Sequence, residues 1–181
     1  FKAYTLSTAR SDFGILSTLL KKLEKSKKFE SRLIVSGSHF QKKFGLTVNE
    51  IKKDKINKYD FIKISNSFFN KFDDKEIFNQ NFKSFSKFFE KKKPHLLIVL
   101  GDRFETLSAV LIAKFLSIPI AHIHGGEVTV GSYDDSFRHC ITKLADLHFT
   151  SHKNYKDRVI QLGENPDSVF NVGSLSLERL K

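Results

Sequence analysis

The chain has 181 residues, and its 40% hydrophobic content is enough for one ordinary domain with a sizeable core. A single cysteine, Cys140, excludes an internal disulfide and is typical of a reducing, cytoplasmic setting. No apolar run approaches the roughly 20 residues of a membrane span, and no signal-peptide pattern opens the chain. The missing initiator methionine and the abrupt end at Lys181 lead us to expect a fragment.

The formal net charge of +11 comes largely from lysine clusters that are interrupted by acidic residues. These clusters lie on predicted helix faces or loops, which favours a solvated surface. A nucleic-acid-binding protein needs aromatic side chains interleaved with the cations on a sheet face, or a recognisable motif, and the sequence shows neither. We therefore expect no nucleic-acid or membrane partner, while the positive field is compatible with an anionic small substrate.

Short apolar runs alternate with longer amphipathic stretches, a pattern that predicts an α/β fold with a parallel sheet covered by helices. Strands are predicted at residues 3–6, 32–35, 61–64, 96–100, 118–123, 147–149 and 169–172. The first helix is predicted near residues 13–25, where Ser11 or Asp12 can cap its start. A helix over 74–91 carries a stripe of phenylalanines that is typical of a buried core, at positions 78, 82, 85 and 89.

Polar or glycine-rich segments follow the first five predicted strands, at residues 7–10, 36–39, 65–67, 101–103 and 124–127. In an open parallel sheet these strand ends share one edge, where ligands bind. Asp102 follows Gly101 and either belongs to a site at this edge or caps the next helix. Arg10 is either a substrate ligand or a surface arginine in a loop, and His39 alone is more typical of a structural residue.

His122 and His124 stand two apart on a predicted strand, so their side chains lean to the same face. That spacing can suit a metal, but zinc needs further ligands at defined spacings, and we predict no metal site. Gly125 and Gly126 form a turn that lets the backbone approach a ligand, with Glu127 presented beside it.

The helix that begins at Asp134 or Asp135 is the most informative element of the chain. Asp135, Arg138 and His139 share one polar face with Thr142, while the opposite face is apolar and Cys140 is expected to be half-buried beside it. Capping can explain one of the two aspartates but not the whole group. A nearby like charge tends to raise the pKa of one carboxyl, as acid–base catalysis requires.

The combined motifs resemble the UDP-N-acetylglucosamine 2-epimerase family, in particular its hydrolysing branch from nonulosonic acid synthesis. The matching segments are residues 7–14, 35–39, 101–105, 122–127 and 134–143, while residues 172–174 resemble the family's crossover to its second domain. The resemblance implies one half of a glycosyltransferase-B-type fold, with a Rossmann-like domain over 1–172 and the start of the crossover at 173–181. The missing half holds nucleotide-binding residues and a catalytic histidine, so residues 1–181 alone are expected to be inactive.

The resemblance also implies the reaction and the site. UDP leaves C1 and a proton leaves C2 of a UDP-sugar, and water adds to the resulting glycal to give the free 2-epimer. The implied catalytic residues are Asp102, His124, Glu127, Asp134 and Asp135, and the implied substrate-binding residues are Arg10, His39, Arg103, Arg138 and His139. Several relatives carry glutamate where this chain has His124. No cofactor is implied, and the full-length protein is expected to be a homo-oligomer.

Two alternatives to the hydrolysing enzyme remain open on the sequence. One is a non-hydrolysing epimerase that retains UDP, and the other is a sugar-nucleotide-binding module without catalysis. All enzymatic interpretations depend on one geometric prediction: Arg10, Asp102, Glu127 and Asp135 should converge on a common pocket at one edge of the sheet.

Overall fold

The apolar runs of the sequence form one parallel sheet in the computed structural model, which describes residues 1–54, 56–63 and 74–180. Within these ranges the strands are β1 (Lys2–Ser7), β2 (Glu30–Val35), β3 (Tyr59–Phe61), β4 (Leu96–Leu100), β5 (Ile120–Ile123), β6 (Leu147–Thr150) and β7 (Val169–Asn171). Their order across the sheet is β3-β2-β1-β4-β5-β6-β7, and every neighbouring pair is parallel. This is the doubly wound order of a Rossmann-like sheet, the fold class that the sequence predicts.

The strands are connected mainly by helices, as parallel pairing requires. They are α1 (Arg10–Lys25), α2 (Val48–Lys53), α3 (Asp74–Lys92), α4 (Phe104–Phe115), α5 (Asp134–Leu144) and α6 (Lys153–Gln161). Short 3-10 turns lie at Gly37–Phe40, Lys42–Phe44, Pro166–Ser168 and Leu175–Leu180.

Two apolar layers cover the two faces of the sheet, because successive strand residues point in opposite directions. Leu97 and Val99 pack with the face that α3, α4 and α5 cover, whereas Ile98 and Leu100 pack with the face of α1 and α2. The predicted phenylalanine stripe on α3 is confirmed as core at positions 85 and 89, which are fully buried, and position 82 packs against the same cluster.

The chain reverses its direction of travel across the sheet between β3 and β4. From β1 it runs outward through β2 to β3, and it then returns to place β4 on the other side of β1. The loops after β1 and β4 therefore leave the sheet edge side by side and diverge to opposite faces. Such a switch point opens a crevice at the carboxyl ends of the strands.

Three local predictions are wrong. Helix α1 begins at Arg10 rather than near residue 13, because Asp12 lies in its first turn and accepts hydrogen bonds of 3.0 Å from the backbone N–H groups of Thr8 and Ala9. Strand β3 ends at Phe61, where the prediction began, while Ile64 and the polar segment 65–67 lie outside the described residues. Cys140 is exposed rather than half-buried.

The segment predicted to lead into a second domain folds back onto the sheet domain within the described residues. Its 3-10 turn, Leu175–Leu180, lies against α1, and Leu175 packs on the apolar layer of that face. The domain boundary near residue 172 stays a prediction. None of the described helices combines the length and apolar composition needed to cross a membrane.

Candidate active site

The loops after β4 and β5 and the start of α5 bring three charged side chains together at the carboxyl edge of the sheet. Arg138 from α5 is the centre of the group, and its side chain is only 7% exposed. Its guanidinium forms an ion pair with Asp102, and it lies 3.6 Å from Oε2 of Glu127. We call Asp102, Glu127 and Arg138 the carboxylate–arginine cluster.

Arg138 is held by more than its charge partners. Its Nη1 donates to the backbone oxygen of His124 at 3.1 Å, and its Nη2 donates to the hydroxyl of Thr129 at 2.9 Å. The side chain sits on the buried face of α5, which it shares with Ile141 and Thr142. A planar guanidinium with donors in fixed directions suits this arrangement, because it links three chain segments at once.

Asp102 occupies the crevice beside the switch point. Gly101 adopts a left-handed conformation with a φ of +75°, and this turn carries Asp102 away from β4. Burial raises the pKa of the Asp102 carboxyl, the positive charge of Arg138 opposes that shift, and Asp134 and Asp12 add to it. Asp102 therefore accepts a proton more readily than an exposed aspartate, as a proton-transfer group should.

Glu127 and His124 lie on either side of the glycine turn after β5. Oε1 of Glu127 accepts a hydrogen bond of 2.5 Å from the hydroxyl of Ser151 and lies 3.3 Å from Nδ1 of His124. His124 has a φ of +64°, a conformation that is costly for a residue with a side chain and that is often found at functional sites. Burial lowers the pKa of His124 although Glu127 opposes this, and its buried Nε2 has no hydrogen-bond partner among the described residues.

His122 stabilises the turn at Gly101 that carries Asp102. It is fully buried, its Nε2 donates to the backbone oxygen of Gly101 at 2.8 Å, and its Nδ1 lies 3.2 Å from the hydroxyl of Thr142. Burial lowers its pKa to about 3, so the ring is neutral near pH 7. No group of three or more His, Cys, Asp or Glu side chains in the described ranges has the geometry of a metal site. His122 instead fixes the turn that presents Asp102.

The first turn of α5 holds its acids in local contacts beside the carboxylate–arginine cluster. Asp134 accepts a hydrogen bond of 2.9 Å from the hydroxyl of Ser132. Asp135 accepts from the backbone N–H of Thr129 at 3.0 Å and lies 3.4 Å from Nε2 of His139. Asp135 thus shares Thr129 with Arg138 but has His139 as its own side-chain neighbour.

Two further residues predicted for substrate binding, Arg10 and Arg103, are separate from the cluster. Arg10 has a side chain that is 72% exposed and pairs with Glu50 of α2 at 3.1 Å. Arg103 forms a 2.9 Å ion pair with Glu105, a carboxylate buried at the start of α4. The predicted convergence is therefore found for Asp102 and Glu127, whereas Arg10 turns to α2 and Asp135 to His139.

His39 is buried rather than presented to the crevice. Its Nε2 lies 2.8 Å from the hydroxyl of Ser7 and its Nδ1 lies 2.8 Å from that of Thr47. Burial lowers its pKa to about 4, and the charge of Arg103 contributes to that shift. The neutral ring joins the ends of β1 and β2 to the segment before α2, as the structural interpretation of His39 predicts.

Ser151 and Thr129 contact the cluster but were not predicted from the sequence. Ser151 directly follows β6, and the rule that selected the first five strand ends would have selected it too, because all parallel strands end at the same edge. Thr129 lies in the loop before α5, where no sequence pattern indicates which side chain turns inward.

Comparison with known proteins identifies the family of this chain. The family model described as UDP-N-acetylglucosamine 2-epimerase matches residues 21–181. The chain belongs to this family. A Campylobacter jejuni relative, GDP/UDP-N,N'-diacetylbacillosamine 2-epimerase (hydrolyzing), is 39% identical over 99% of this chain and 47% of its own length. Polysialic acid biosynthesis protein P7 of Escherichia coli is 39% identical over 98% of this chain and 45% of its own length.

Solved structures agree on the fold. The UDP-GlcNAc 2-epimerase of Neisseria meningitidis bound to UDP-GlcNAc matches with a TM-score of 0.85 and 21% identity over 99% of this chain and 50% of that one. The Methanocaldococcus jannaschii UDP-GlcNAc 2-epimerase in complex with UDP-GlcNAc and UDP matches with a TM-score of 0.83 and 18% identity over 99% and 49%. The chain thus spans about half the length of its epimerase relatives, and its sheet is one half of a glycosyltransferase-B-type fold.

Proposed function

We propose that this chain is the N-terminal half of a hydrolysing UDP-sugar 2-epimerase. The substrate class is UDP-N-acetylglucosamine or its diacetamido analogue, and the product is the free sugar with inverted configuration at C2. The observation that carries this proposal is the carboxylate–arginine cluster at the carboxyl edge of the sheet, beside the switch point. The name of the Campylobacter jejuni relative, a hydrolysing diacetylbacillosamine 2-epimerase, supports the reaction type.

The chemistry requires a base, and it requires groups that stabilise positive charge on the sugar. In the first step a carboxylate takes the C2 proton, the C1–O electron pair leaves with UDP, and a C1=C2 double bond forms. In the second step the oxygen of a water molecule bonds to C1 and gives up one proton to a carboxylate, while the electron pair of the C1=C2 bond takes a proton at C2 on the face opposite to the one that lost it. Asp102 and Glu127 are the proposed proton-transfer groups, since both are partly buried and lie within one cluster.

The other predicted residues have supporting roles in this proposal. Asp134 and Asp135 add negative charge beside the developing positive charge at C1, and His124 offers to the substrate its Nε2, which has no hydrogen-bond partner among the described residues. The exposed guanidinium of Arg10 can exchange Glu50 for a diphosphate oxygen. Arg103 is the second proposed cation for the diphosphate, although it pairs with Glu105 in the free protein. His39 acts by positioning Ser7 and Thr47, and His139 acts by positioning Asp135.

The proposal extends to the setting of the intact protein. Residues 1–172 would form one domain and residues 173–181 would begin the crossover to a nucleotide-binding domain, as the half-length matches to the relatives support. A homo-oligomer in the reducing cytoplasm, acting in nonulosonic (sialic) acid synthesis, is consistent with the single cysteine and with the name of the Escherichia coli relative.

Incubation of the intact protein with each UDP-sugar in deuterated water, followed by NMR, tests the reaction. We expect free UDP together with a released 2-epimer that carries deuterium at C2. Asp102→Asn and Glu127→Gln should each lower kcat by about a hundredfold or more, because each removes a proton-transfer group. A 2-epimer that remains linked to UDP would show the non-hydrolysing reaction instead. Tight UDP-sugar binding without turnover would show a binding module.

A further inference from the structure

The short hydrogen bond between Ser151 and Glu127 joins the end of β6 to the candidate site. Ser151 lies 24 residues from Glu127 in sequence, and its hydroxyl donates to Oε1 of that carboxylate at 2.5 Å. The other groups near the carboxylate are farther away, with Nδ1 of His124 at 3.3 Å and Nη1 of Arg138 at 3.6 Å. Ser151 is therefore the neighbour that fixes the orientation of Glu127 most directly.

The same part of the chain also holds the backbone that carries Glu127. Arg158 of α6 donates from Nη1 to the backbone oxygen of Gly126 at 2.8 Å. A Cβ atom at Gly126 would lie 2.4 Å from the backbone oxygen of Tyr155, so the glycine turn packs directly on α6. The turn that carries Glu127 is thus anchored to α6, and Ser151 directly precedes His152, the N-cap residue of that helix.

We propose that Ser151 is a positioning residue for the reaction, which aims the Glu127 carboxylate at the reacting carbons of the sugar. This inference rests on the proposed function, because it gives Ser151 a role only through Glu127. A carboxylate without its nearest donor samples more side-chain orientations, and proton transfer is sensitive to small displacements. Substrate binding depends on other contacts, so the loss should fall on kcat and not on KM.

Steady-state kinetics of the intact protein test this role. Ser151→Ala should lower kcat about tenfold or more while KM changes less than about twofold. Ser151→Thr keeps the hydroxyl and should restore most of the rate. Ser86→Ala is the matched control, since Ser86 also donates to a glutamate, at 2.7 Å from Oε1 of Glu90, but on the exposed side of α3. The control should leave both constants unchanged.

A double-mutant cycle separates positioning from a general structural effect. In a Glu127→Gln background Ser151→Ala should cause no further loss of kcat, because the carboxylate through which it acts is gone. A full, additive tenfold loss in that background overturns the inference. Equal behaviour of Ser151→Ala and Ser86→Ala overturns it as well.

A second measurement is independent of turnover and keeps this inference distinct from the proposed function. In intact protein labelled with ¹³C at the glutamate carboxyls, the Glu127 signal is the one lost in Glu127→Gln. That signal should shift in Ser151→Ala and stay in place in Ser86→Ala. A wild-type protein that releases no UDP contradicts the proposed function, whereas an unmoved Glu127 signal contradicts the role of Ser151.

Discussion

Arg138 connects three segments of the candidate site through one side chain. Its guanidinium is nearly buried and meets Asp102, the backbone oxygen of His124 and the hydroxyl of Thr129. A buried charge that loses its partner is costly, because neither water nor another dipole replaces it. The residue is therefore expected to matter for folding as well as for chemistry.

Arg138→Met should lower the free energy of unfolding by about 3 kcal/mol, since it leaves the Asp102 carboxylate without its cation. Denaturant titration of the intact protein at pH 7 measures this. Arg10→Met is the matched control for stability, because the Arg10 side chain is 72% exposed and its ion pair with Glu50 should contribute less than about 1 kcal/mol. Equal losses in the two variants would contradict the described role of Arg138.

The location of single residues was predicted correctly where a backbone rule fixes it. Asp102 and Glu127 follow strand ends, and parallel strands bring their ends to one edge whatever the side chains do. Arg10 follows the same rule for its backbone position, but its long side chain can reach several partners. In the structure it pairs with Glu50 of α2, which lies 40 residues away in sequence. A pairing of that kind depends on tertiary packing, which spacing along the chain does not encode.

The glycine turn between β5 and Glu127 depends on α6 for its shape. Gly126 has a φ of +76° and no room for a side chain against Tyr155 and Val159. Gly131 has a similar φ of +80°, but no atom lies within 4 Å of the position of its Cβ. A comparison of substitutions at Gly126 and Gly131 therefore separates the cost of a steric clash from the cost of backbone strain.

Gly131→Ala should cost about 1–2 kcal/mol of unfolding free energy, the usual penalty of a left-handed conformation for a residue with a side chain. Gly126→Ala should cost several kcal/mol more, because its Cβ would overlap the backbone of α6. Thermal or denaturant unfolding of the two variants gives the difference. A difference near zero would mean that the turn moves away from α6 at little cost.

The bounds of an element were predicted more accurately where its periodic apolar signal is stronger. The strands β4 and β5 and the helix α3 carry long apolar patterns, and the structure confirms them within two residues. Strand β3 has three residues and an exposed end at Phe61, so its apolar signal is weak. Its predicted position therefore lies too far along the chain. The start of α1 was missed because Asp12 stabilises the helix from its third residue rather than from the residue before it.

At the scale of the whole molecule, burial of histidines links stability to pH, and the shift is largest for His39 and His122 among the described residues. The pKa of His39 is lowered to about 4 and that of His122 to about 3. In the unfolded chain a histidine titrates near 6.5, so the unfolded state binds these protons first as the pH falls. Their contribution to stability is complete above about pH 6.5 and is lost as the pH falls toward the folded values.

Other buried groups act in the opposite direction, so a single stability curve does not isolate the histidines. Burial raises the pKa values of Asp102 and Glu105, and protonation of those carboxyls favours the folded state at low pH. A comparison between wild type and a variant without one histidine removes this background, because both proteins keep the same carboxyls.

His39→Gln should destabilise the protein most at neutral pH and progressively less in acid. Glutamine can still hydrogen-bond with Ser7 and Thr47, so the fold should survive at pH 7. Between pH 6.5 and 4 the free energy of unfolding of wild type should fall by about 2–3 kcal/mol more than that of the variant. The reason is that each unit of pKa difference between the folded and unfolded states is worth about 1.4 kcal/mol. Urea titrations at intervals over this range measure the two curves, and the difference between pH 7 and pH 8 should be constant as an internal control. Parallel curves from pH 7 to pH 4 would mean that the His39 ring is not held neutral by the fold.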